Sequence, residues 1–395
     1  MTQTARPSHS DRLQEDPVDW LRLLRSRRIG PVTFNRLLAE HGSVAEALRA
    51  LPEIARAAGV QNYEICPVGV VLAEIKLGRA ARAVMLRWGE ADYPGSLMDL
   101  ADAPPILWAQ GNVGLLRRPM VALVGARSAS SLGLGMARRL GESLGAAGLV
   151  VVSGLARGVD AEAHAAALDT GTVAVQAGGV DHIYPMENSR LAEDIMTRGC
   201  RVSEQPMGME PQARHFPMRN RIISGLARAV VVVEAATKSG SLITAETALE
   251  QGRDVFAVPG HPFDARAAGC NRLIRDGATL VRGAADILAV LDMTGVVKAV
   301  PEEPRRDVSG AEGSVPGVFV AKGPVAEVVP ARRSLRDMAG LHSQILQRLG
   351  PSPVAEDQLI RDLNVPAALV GPELVLLELE GRILRQSGGL LSRLS

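Results

Sequence analysis

The sequence predicts an α/β protein: a doubly wound parallel sheet, with a small all-α domain before it and a winged-helix domain after it. Three observations lead to this class. Short runs of β-branched residues alternate with helical segments between Pro119 and Leu291. Apolar residues recur at helical spacing between Trp20 and Ala58. Three helical segments and a hairpin pattern occupy residues 340–395. The predicted bounds are 1–64 for the helical domain, 65–112 for a connecting region, 113–292 for the sheet domain, 293–339 for a flexible linker and 340–395 for the winged helix.

The first domain is predicted to consist of short helices, with Gly30-Pro31 ending one helix and beginning the next. Ile29-Gly30-Pro31 resembles the turn of a helix-hairpin-helix, which can offer backbone N–H groups to a duplex phosphate. A basic helix is more often a solvated face, so an accessory interaction domain and a DNA contact both stay open. Five arginines flank the turn: Arg22, Arg25, Arg27, Arg28 and Arg36.

The sheet domain is predicted from strands that alternate with helices, a pattern typical of parallel sheets covered on both faces. The predicted strands are Met120–Val124, Leu149–Val152, Thr172–Val175, Arg201–Val202, Ala229–Val233 and Val255–Val258. The predicted helices are Gly135–Ala146, Asp160–Leu168, Leu191–Thr197 and Leu242–Gln251.

The winged helix is predicted not to read duplex DNA. Its second helix of the helix-turn-helix, at about 366–380, would enter the major groove. That helix carries Glu373, Glu378 and Glu380 and no Lys or Arg, so it would be repelled by phosphates. Its apolar character favours docking against protein, or against the chain's own DNA-binding domain across the linker.

Composition limits the function classes. The net charge of +1 over 395 residues excludes a globally basic nucleic-acid binder, so any such site must be a local patch. The three cysteines have neither metal-ligand nor redox spacing, and the N-terminus has no apolar signal segment. These features predict a cytoplasmic protein without membrane spans. No P-loop, dinucleotide fingerprint, nucleophile elbow or metal cluster occurs, so no cofactor and no catalysis are expected.

An anion site is predicted at the carboxyl ends of the strands, where open parallel sheets bind ligands. The Val-rich strand ends in Glu234 and is followed by a lysine, hydroxyls and the start of a helix, which together suit a phosphate. Other strand ends and the preceding helix bring further glycines, hydroxyls and cations to the same rim. The candidates are Gly125, Arg127, Ser128, Gly178, Gly179, Arg219, Asn220, Arg221, Lys238, Ser239, Gly240 and Ser241.

These segments resemble the DNA processing protein A family (DprA, also called Smf) over roughly residues 93–288. The matching motifs are VGAR (124–127), SGLARGVDAEAH (153–164), GGVDHIYP (178–185), FPMRNRIISGLA (216–227), KSGSLITAETAL (238–249), AVPGH (257–261) and GCNRLIRDGA (269–278). Tyr93-Pro94 and Pro105 with Gly111-Asn112 complete the family's order.

The resemblance implies a Rossmann-like domain that binds single-stranded DNA, protects incoming strands in natural transformation and loads the RecA recombinase. It also implies a homodimer through that domain. Family DNA contacts carry over to Arg127 and Lys238, then to Arg219, Asn220 and Arg221, and Asn271 of the last motif is added as a candidate. Bases would stack on Phe216, Phe263 or histidines.

Two other functions stay open at this point. The fold and the Gly-rich loop resemble those of nucleotide-processing phosphoribohydrolases, although the P-G-G-x-G-T motif of that class is replaced by Lys238-Ser239-Gly240-Ser241. A transcription-type regulator whose winged helix reads duplex DNA is the other alternative.

Overall fold

The computed structural model describes residues 15–292, 335–386 and 390–394. It confirms the predicted class: a helical domain, a mostly parallel sheet between helices, and a winged helix. Most of the predicted linker, and residues 387–389 within the predicted hairpin, lie outside the described residues. Residues 335–339, also assigned to the linker, belong instead to the first helix of the winged-helix domain.

The N-terminal domain begins with three helices, α1 (Pro17–Arg25), α2 (Pro31–His41) and α3 (Val44–Ala57). Asp16 caps α1 by accepting a hydrogen bond from Val18 N at 2.9 Å, and Ser43 caps α3. Gly30-Pro31 begins α2, as predicted. The Trp20 and Phe34 rings meet at 5.2 Å in the shared core of these helices.

The predicted connecting region divides between the two domains. Its helix α4 (Val68–Ala80) packs against α1, and Val71 is buried in the core of the helical domain. The remainder forms β1 (Val84–Arg87), α5 (Gly95–Met98) and β2 (Ile106–Gly111) of the sheet domain. Turn signals at Tyr93-Pro94 and Pro104-Pro105 dominate this stretch and conceal the two strands. Ile106 and Trp108 of β2 are buried in the same core as Trp20, and the Trp108 indole N–H donates to Glu74 at 2.9 Å. The helical domain and the sheet therefore share one core.

The nine-stranded sheet has the order β1-β2-β6-β5-β4-β3-β7-β8-β9. Strands β3 to β9 are parallel to their neighbours, and β1 and β2 extend that sheet antiparallel beyond β6. These strands are β3 (Met120–Val124), β4 (Val150–Ser153), β5 (Thr172–Val175), β6 (Cys200–Ser203), β7 (Ala229–Val232), β8 (Asp254–Ala257) and β9 (Thr279–Leu280).

Helices cover both faces of the sheet, so its strands are apolar throughout rather than alternating. In β3, Met120, Ala122 and Val124 face one core, while Val121 and Leu123 face the other. The helices are α6 (Ser131–Ala146), α7 (Val159–Ala166), α8 (Ser189–Arg198), α9 (His215–Leu226), α10 (Gly240–Glu250), α11 (Ala268–Arg275) and α12 (Ala284–Val290).

The C-terminal domain contains three helices and a small antiparallel sheet of order β10-β12-β11. Its elements are α13 (Leu335–Arg348), β10 (Val354–Ala355), α14 (Glu356–Leu363), α15 (Ala367–Leu379), β11 (Ile383–Gln386) and β12 (Leu390–Arg393). The predicted recognition helix is α15. Glu373 is buried and lies 2.6 Å from His342, and Glu378 accepts from Arg385 at 3.2 Å. Glu380 pairs with Arg382 at 3.5 Å, so all three carboxylates are engaged within the domain.

The C-terminal domain docks on the sheet domain, but not through the face that the sequence favoured. Val375 and Leu376 of α15 stay 50% and 40% exposed. The contact is made by the end of α13, where Arg348 donates to the carbonyl of Ala129 at 2.9 Å. Arg266 of the sheet domain donates to the carbonyls of Gln347 and Leu349.

Candidate nucleic-acid interface

The candidate site lies where the strand order reverses, between β3 and β7. At the carboxyl ends of these two parallel strands the chain continues into different helices, which leaves a crevice between the two connections. A pocket of about 620 Å³ occupies this crevice, and we call it the switch-point pocket. Its main walls are Gly125–Ser128 after β3, Phe216–Asn220 on α9, and Lys238–Ser241 before and at the start of α10.

The start of α10 supplies one side of this pocket. Ser239 is the N-cap residue, and its hydroxyl accepts weakly from Ser241 N at 3.4 Å and contacts the Ser241 hydroxyl at 2.7 Å. Lys238 is exposed immediately before it. Free N–H groups at a helix start and an adjacent ammonium both favour an anion. This side of the pocket can therefore bind a phosphate.

Arg127 and Phe216 supply the opposite side. The exposed Arg127 guanidinium lies 5.5 Å from the centre of the Phe216 ring. Tyr184 packs against the same ring at 5.6 Å. A base can stack on such a half-buried aromatic ring and its guanidinium, and a phosphate can pair with the guanidinium charge. Of the proposed stacking residues, Phe216 lines the pocket, whereas Phe263 is 86% exposed and does not.

Arg219 forms the floor of the pocket and is 6% exposed. Its guanidinium donates to the carbonyl of Val175 at 2.7 Å, while its buried Nε has no partner among the described residues. Gly154 has no side chain, and a Cβ at that position would collide with this guanidinium. Burial lowers the pKa of Arg219 to about 10, although the Asp160 carboxylate opposes this shift. Arg219 therefore stays charged and contributes a buried cation beneath the exposed ones.

Asp160 and His164, at the start and end of α7, are structural rather than catalytic. Asp160 accepts from the N–H groups of Gly154 and Ala156 at 3.1 and 3.4 Å. His164 Nε2 accepts from Leu155 N at 3.3 Å, and its Nδ1 lies 2.7 Å from the Thr172 hydroxyl. Because that hydroxyl donates to the carbonyl of Val151, Nδ1 must carry the proton. The imidazole is therefore neutral, and both of its nitrogens have hydrogen-bond partners.

This arrangement predicts a pH-dependent contribution to stability. Burial, with the nearby Arg219 charge, lowers the pKa of His164 from 6.5 to about 3. Below pH 6.5 the unfolded chain takes up a proton that the folded protein refuses. The free energy of unfolding therefore falls as the pH falls towards 3, by at most about 1.4 kcal/mol per unit. Denaturant unfolding of wild type and His164→Gln should show the wild-type advantage shrinking with acidification. An advantage that is constant with pH would contradict this assignment.

The start of α6, which follows β3, is already occupied by a carboxylate. In dinucleotide-binding folds this helix start holds the pyrophosphate. Here Glu234 accepts from the backbone N–H of Ser130 at 2.9 Å and from its hydroxyl at 3.2 Å. Burial raises the pKa of Glu234, and the Ser130 N–H and Arg266 oppose that shift. Glu234 therefore takes the position that a nucleotide phosphate would need at α6, and the start of α10 is the helix start that faces the switch-point pocket.

The structure brings most of the predicted residues together. Among the predicted candidates, the lining of the switch-point pocket includes Gly125, Arg127, Ser128, Arg219, Asn220, Lys238, Ser239, Gly240 and Ser241. It also includes Asp160, whose carboxylate is held by backbone N–H groups, and Arg266, which sequence reasoning missed because it does not follow a strand directly. Arg266 is bound to Glu234 at 3.3 Å and to Asp264 at 2.9 Å, so its charge is largely balanced.

Four candidates lie outside that pocket. Arg221 is directed into a buried ion pair with Glu204 and donates to the carbonyl of Asp102 at 2.8 Å. Gly178 and Gly179 are buried, and Gly179 N donates to the carbonyl of Met209 at 2.8 Å. The Asn271 amide is bound to the backbone of Gly260, at 3.2 Å and 3.0 Å. In each case packing or hydrogen bonding explains the residue type without a ligand.

The arginine cluster of the N-terminal domain is divided by the structure. Arg25 pairs with the buried Glu74 at 2.8 Å. Two others also have acidic neighbours: Arg22 pairs with Asp19 at 3.3 Å, and Arg36 lies 3.9 Å from Glu40. Arg27 and Arg28, beside the turn, are exposed. A DNA contact by this domain would therefore depend on Arg27 and Arg28.

Within the described residues, no group of His, Cys, Asp and Glu could hold a metal ion. No helix in the same part of the chain is long and apolar enough to cross a bilayer.

Comparison with known protein families shows which family this chain belongs to. The family profile described as DNA recombination-mediator protein A matches residues 84–292. The chain belongs to the DNA processing protein A family. The DprA-like N-terminal HHH domain matches residues 14–76, and the DprA winged helix domain matches residues 329–389. The family resemblance drawn from the sequence motifs is thereby confirmed.

Relatives in this family come from several bacteria. DNA processing protein DprA of Streptococcus pneumoniae is 47% identical over 199 residues, which are 50% of this chain and 70% of the relative. Protein Smf of Synechocystis is 30% identical over 394 residues and covers 93% of this chain and 96% of its own. The similarity to Smf therefore extends over all three domains.

Two solved structures of the family are similar to this one. The crystal structure of DprA from Streptococcus pneumoniae covers 70% of this chain and 98% of its own, with 36% identity and a TM-score of 0.61. A structure of DprA from Helicobacter pylori, described for its single-stranded DNA binding mode, covers 53% of this chain and 95% of its own. Its identity is 29% and its TM-score 0.50.

Proposed function

We propose that this protein binds single-stranded DNA in the switch-point pocket and acts as a recombination mediator without catalysing a reaction. The observation that carries the proposal is the pairing of an exposed Lys238 at a helix start with an exposed Arg127 over the Phe216 ring. The family, and the single-stranded DNA binding described for the relative from Helicobacter pylori, support it.

Each part of the pocket suits one part of a DNA strand. The α10 N–H groups and Lys238 would bind a phosphate, and Arg127 would bind the next one. Phe216 would offer its ring to a base, and such stacking accepts any base because every base has a π face. The buried Arg219 charge would attract the strand without contacting it directly. The pocket would therefore bind single strands with little sequence preference.

A mediator binds the strand and delivers it to another protein, which carries out the recombination reaction. We propose that the chain protects incoming single strands during natural transformation, loads RecA onto them, and works in the cytoplasm as a homodimer through its Rossmann-like domain. The family resemblance supports these points. The proposal needs no chemistry from the chain, and the buried titratable side chains of Asp160 and His164 are both engaged in internal hydrogen bonds.

The competing nucleotide-processing function predicts different behaviour in solution. Wild-type protein should bind fluorescent oligo-dT with an affinity that falls steeply with salt, and should leave ATP and nucleoside monophosphates unchanged. A salt-dependent affinity is expected because strand phosphates release counterions on binding. Steady turnover of either nucleotide that disappears in Lys238→Ala would contradict the proposal, as would failure to bind oligo-dT at low salt.

A further inference from the structure

A second polar cavity lies beside the switch-point pocket, between the sheet domain and the C-terminal domain. This interdomain cleft has a volume of about 420 Å³. Its walls come from the loop after β3, the loop before α7, and the facing surfaces of α13 and α14. The lining includes Arg127, Ser128, Arg157, Gln347, Arg348 and Asp362. Because Arg127 and Ser128 line both cavities, the cleft continues the switch-point pocket on the far side of Arg127.

The two loops on the sheet-domain side are held side by side. Gly158 follows Arg157 with φ of 76°, and a Cβ there would collide with the carbonyl of Arg127. Val159 N donates to the carbonyl of Ala126 at 3.2 Å. Arg157 is 61% exposed, and its only contact described here is an exposed pair with Glu187 at 3.4 Å. An exposed pair of this kind is worth little, so Arg157 is free to bind a different anion.

The wall formed by the C-terminal domain is attached to the sheet domain by arginine hydrogen bonds to main-chain carbonyls, and these bonds leave the cleft open. Arg266 and Arg348 attach the end of α13 to the sheet domain through main-chain carbonyls. Arg127 and Lys238 stay exposed with the C-terminal domain docked. The docked domain therefore adds a wall beside the pocket and does not cover its cations.

The charge of the cleft indicates its ligand. Three arginines, Arg127, Arg157 and Arg348, face one carboxylate, that of Asp362. One oxygen of Asp362 accepts from Gln358 at 2.8 Å, and the other is buried without a described hydrogen-bond partner. Amides of Gln344, Gln347 and Asn188 complete the polar lining. Guanidinium groups and amides in an open groove suit a phosphodiester backbone.

We infer that the interdomain cleft is a second contact site for the backbone of the same DNA strand. The strand would pass Arg127 to enter the cleft, and Arg157 and Arg348 would bind its phosphates there. The inference rests on the proposed single-strand binding. A strand bound in the switch-point pocket passes Arg127 and enters the cleft, so that the C-terminal domain contacts single-stranded DNA through α13 and not through its wing or α15.

The test compares a short oligo-dT of about 6 nucleotides with a long one of about 20, a range set by single-strand site sizes. All variants are made in the full chain. The short strand reports the switch-point pocket, and the additional affinity of the long strand reports the cleft. In Arg157→Ala the long strand should bind about tenfold more weakly, as expected for one charged hydrogen bond. Its salt slope should fall by about 0.7, and short-strand binding should be unchanged.

Arg348→Ala should act in the same way, and Asp362→Asn should tighten long-strand binding because it removes the carboxylate that faces the phosphates. Arg382→Ala is the matched control. It removes an exposed arginine of the same domain that lies outside the cleft lining and is paired with Glu380 at 3.5 Å, and it should change neither strand.

Each remaining outcome decides against one claim. Long-strand affinity that is unchanged in Arg157→Ala, or increased in Arg348→Ala, overturns the cleft assignment while short-strand binding keeps the proposed function. A loss confined to Arg348→Ala also overturns it, because domain docking alone would then explain the effect. Absence of binding to both strands by the wild type overturns the proposed function and this inference with it.

Discussion

Replacing both Arg127 and Lys238 by alanine is expected to weaken oligo-dT binding at least about 100-fold at low salt. Each residue should contribute one charged hydrogen bond, worth about 1.5–3 kcal/mol. Each phosphate neutralised on a single strand adds about 0.7 to the salt slope, so the double variant should lose about 1.4. Fluorescence anisotropy across a salt series measures both quantities in one experiment.

A matched control separates local contacts from loss of net charge. Arg117 and Arg275 are 62% and 75% exposed, and each is paired with an exposed aspartate. They precede β3 and β9, so they lie at the amino ends of these strands, away from the pocket at the carboxyl ends. Arg117→Ala combined with Arg275→Ala removes the same charge and should leave affinity and salt slope nearly unchanged. Equal weakening in both double variants would refute the assignment of Arg127 and Lys238.

The second large effect concerns stability, at a residue that sequence reasoning placed in the DNA site. Arg221 and Glu204 form an ion pair with side chains only 11% and 9% exposed. Burial raises the pKa of Glu204, and the Arg221 charge opposes this shift. Arg221→Met leaves a buried carboxylate without its partner, which typically costs about 3–5 kcal/mol. Urea denaturation should show that loss, while folded protein should keep its oligo-dT affinity.

A double variant tests the cause of that loss. Replacing both partners, as Arg221→Met with Glu204→Leu, removes the uncompensated charge and should recover most of the stability. No recovery would mean that Arg221 acts through its bonds to Asp102 instead. A loss of DNA affinity in folded Arg221→Met, without a loss of stability, would restore Arg221 to the DNA site.

The central sheet could be predicted because its strands are buried on both faces and therefore form continuous apolar runs. Met120–Val124 and Thr172–Val175 were predicted with the bounds that the structure has. The strands β1 and β2 were missed since they lie among proline-rich turn signals, and antiparallel pairing at a sheet edge has no local sequence signature. The sequence therefore predicted the alternating strands and helices of the parallel sheet, but not the two antiparallel strands added beyond β6.

The candidate site was predictable to the extent that it follows strand ends. Lys238 and Arg127 come directly after or near such ends, and the structure brings them to one pocket. Arg221 lies on α9 only two residues after Arg219, but it is directed to Glu204 while Arg219 forms the pocket floor. Helical position alone cannot distinguish these directions, because the partners lie far away in the chain. The interdomain cleft was concealed because its walls come from segments that lie far apart in the chain.

A crystal structure of the full chain with a short oligo-dT tests the central claim most directly. Phosphate oxygens should lie at about 3 Å, the usual hydrogen-bond distance, from Lys238 Nζ and from the first N–H groups of α10. A second phosphate should contact the Arg127 guanidinium, with a base near the Phe216 ring. Ordered DNA on the N-terminal domain or on the wing, with none in the switch-point pocket, would contradict the account.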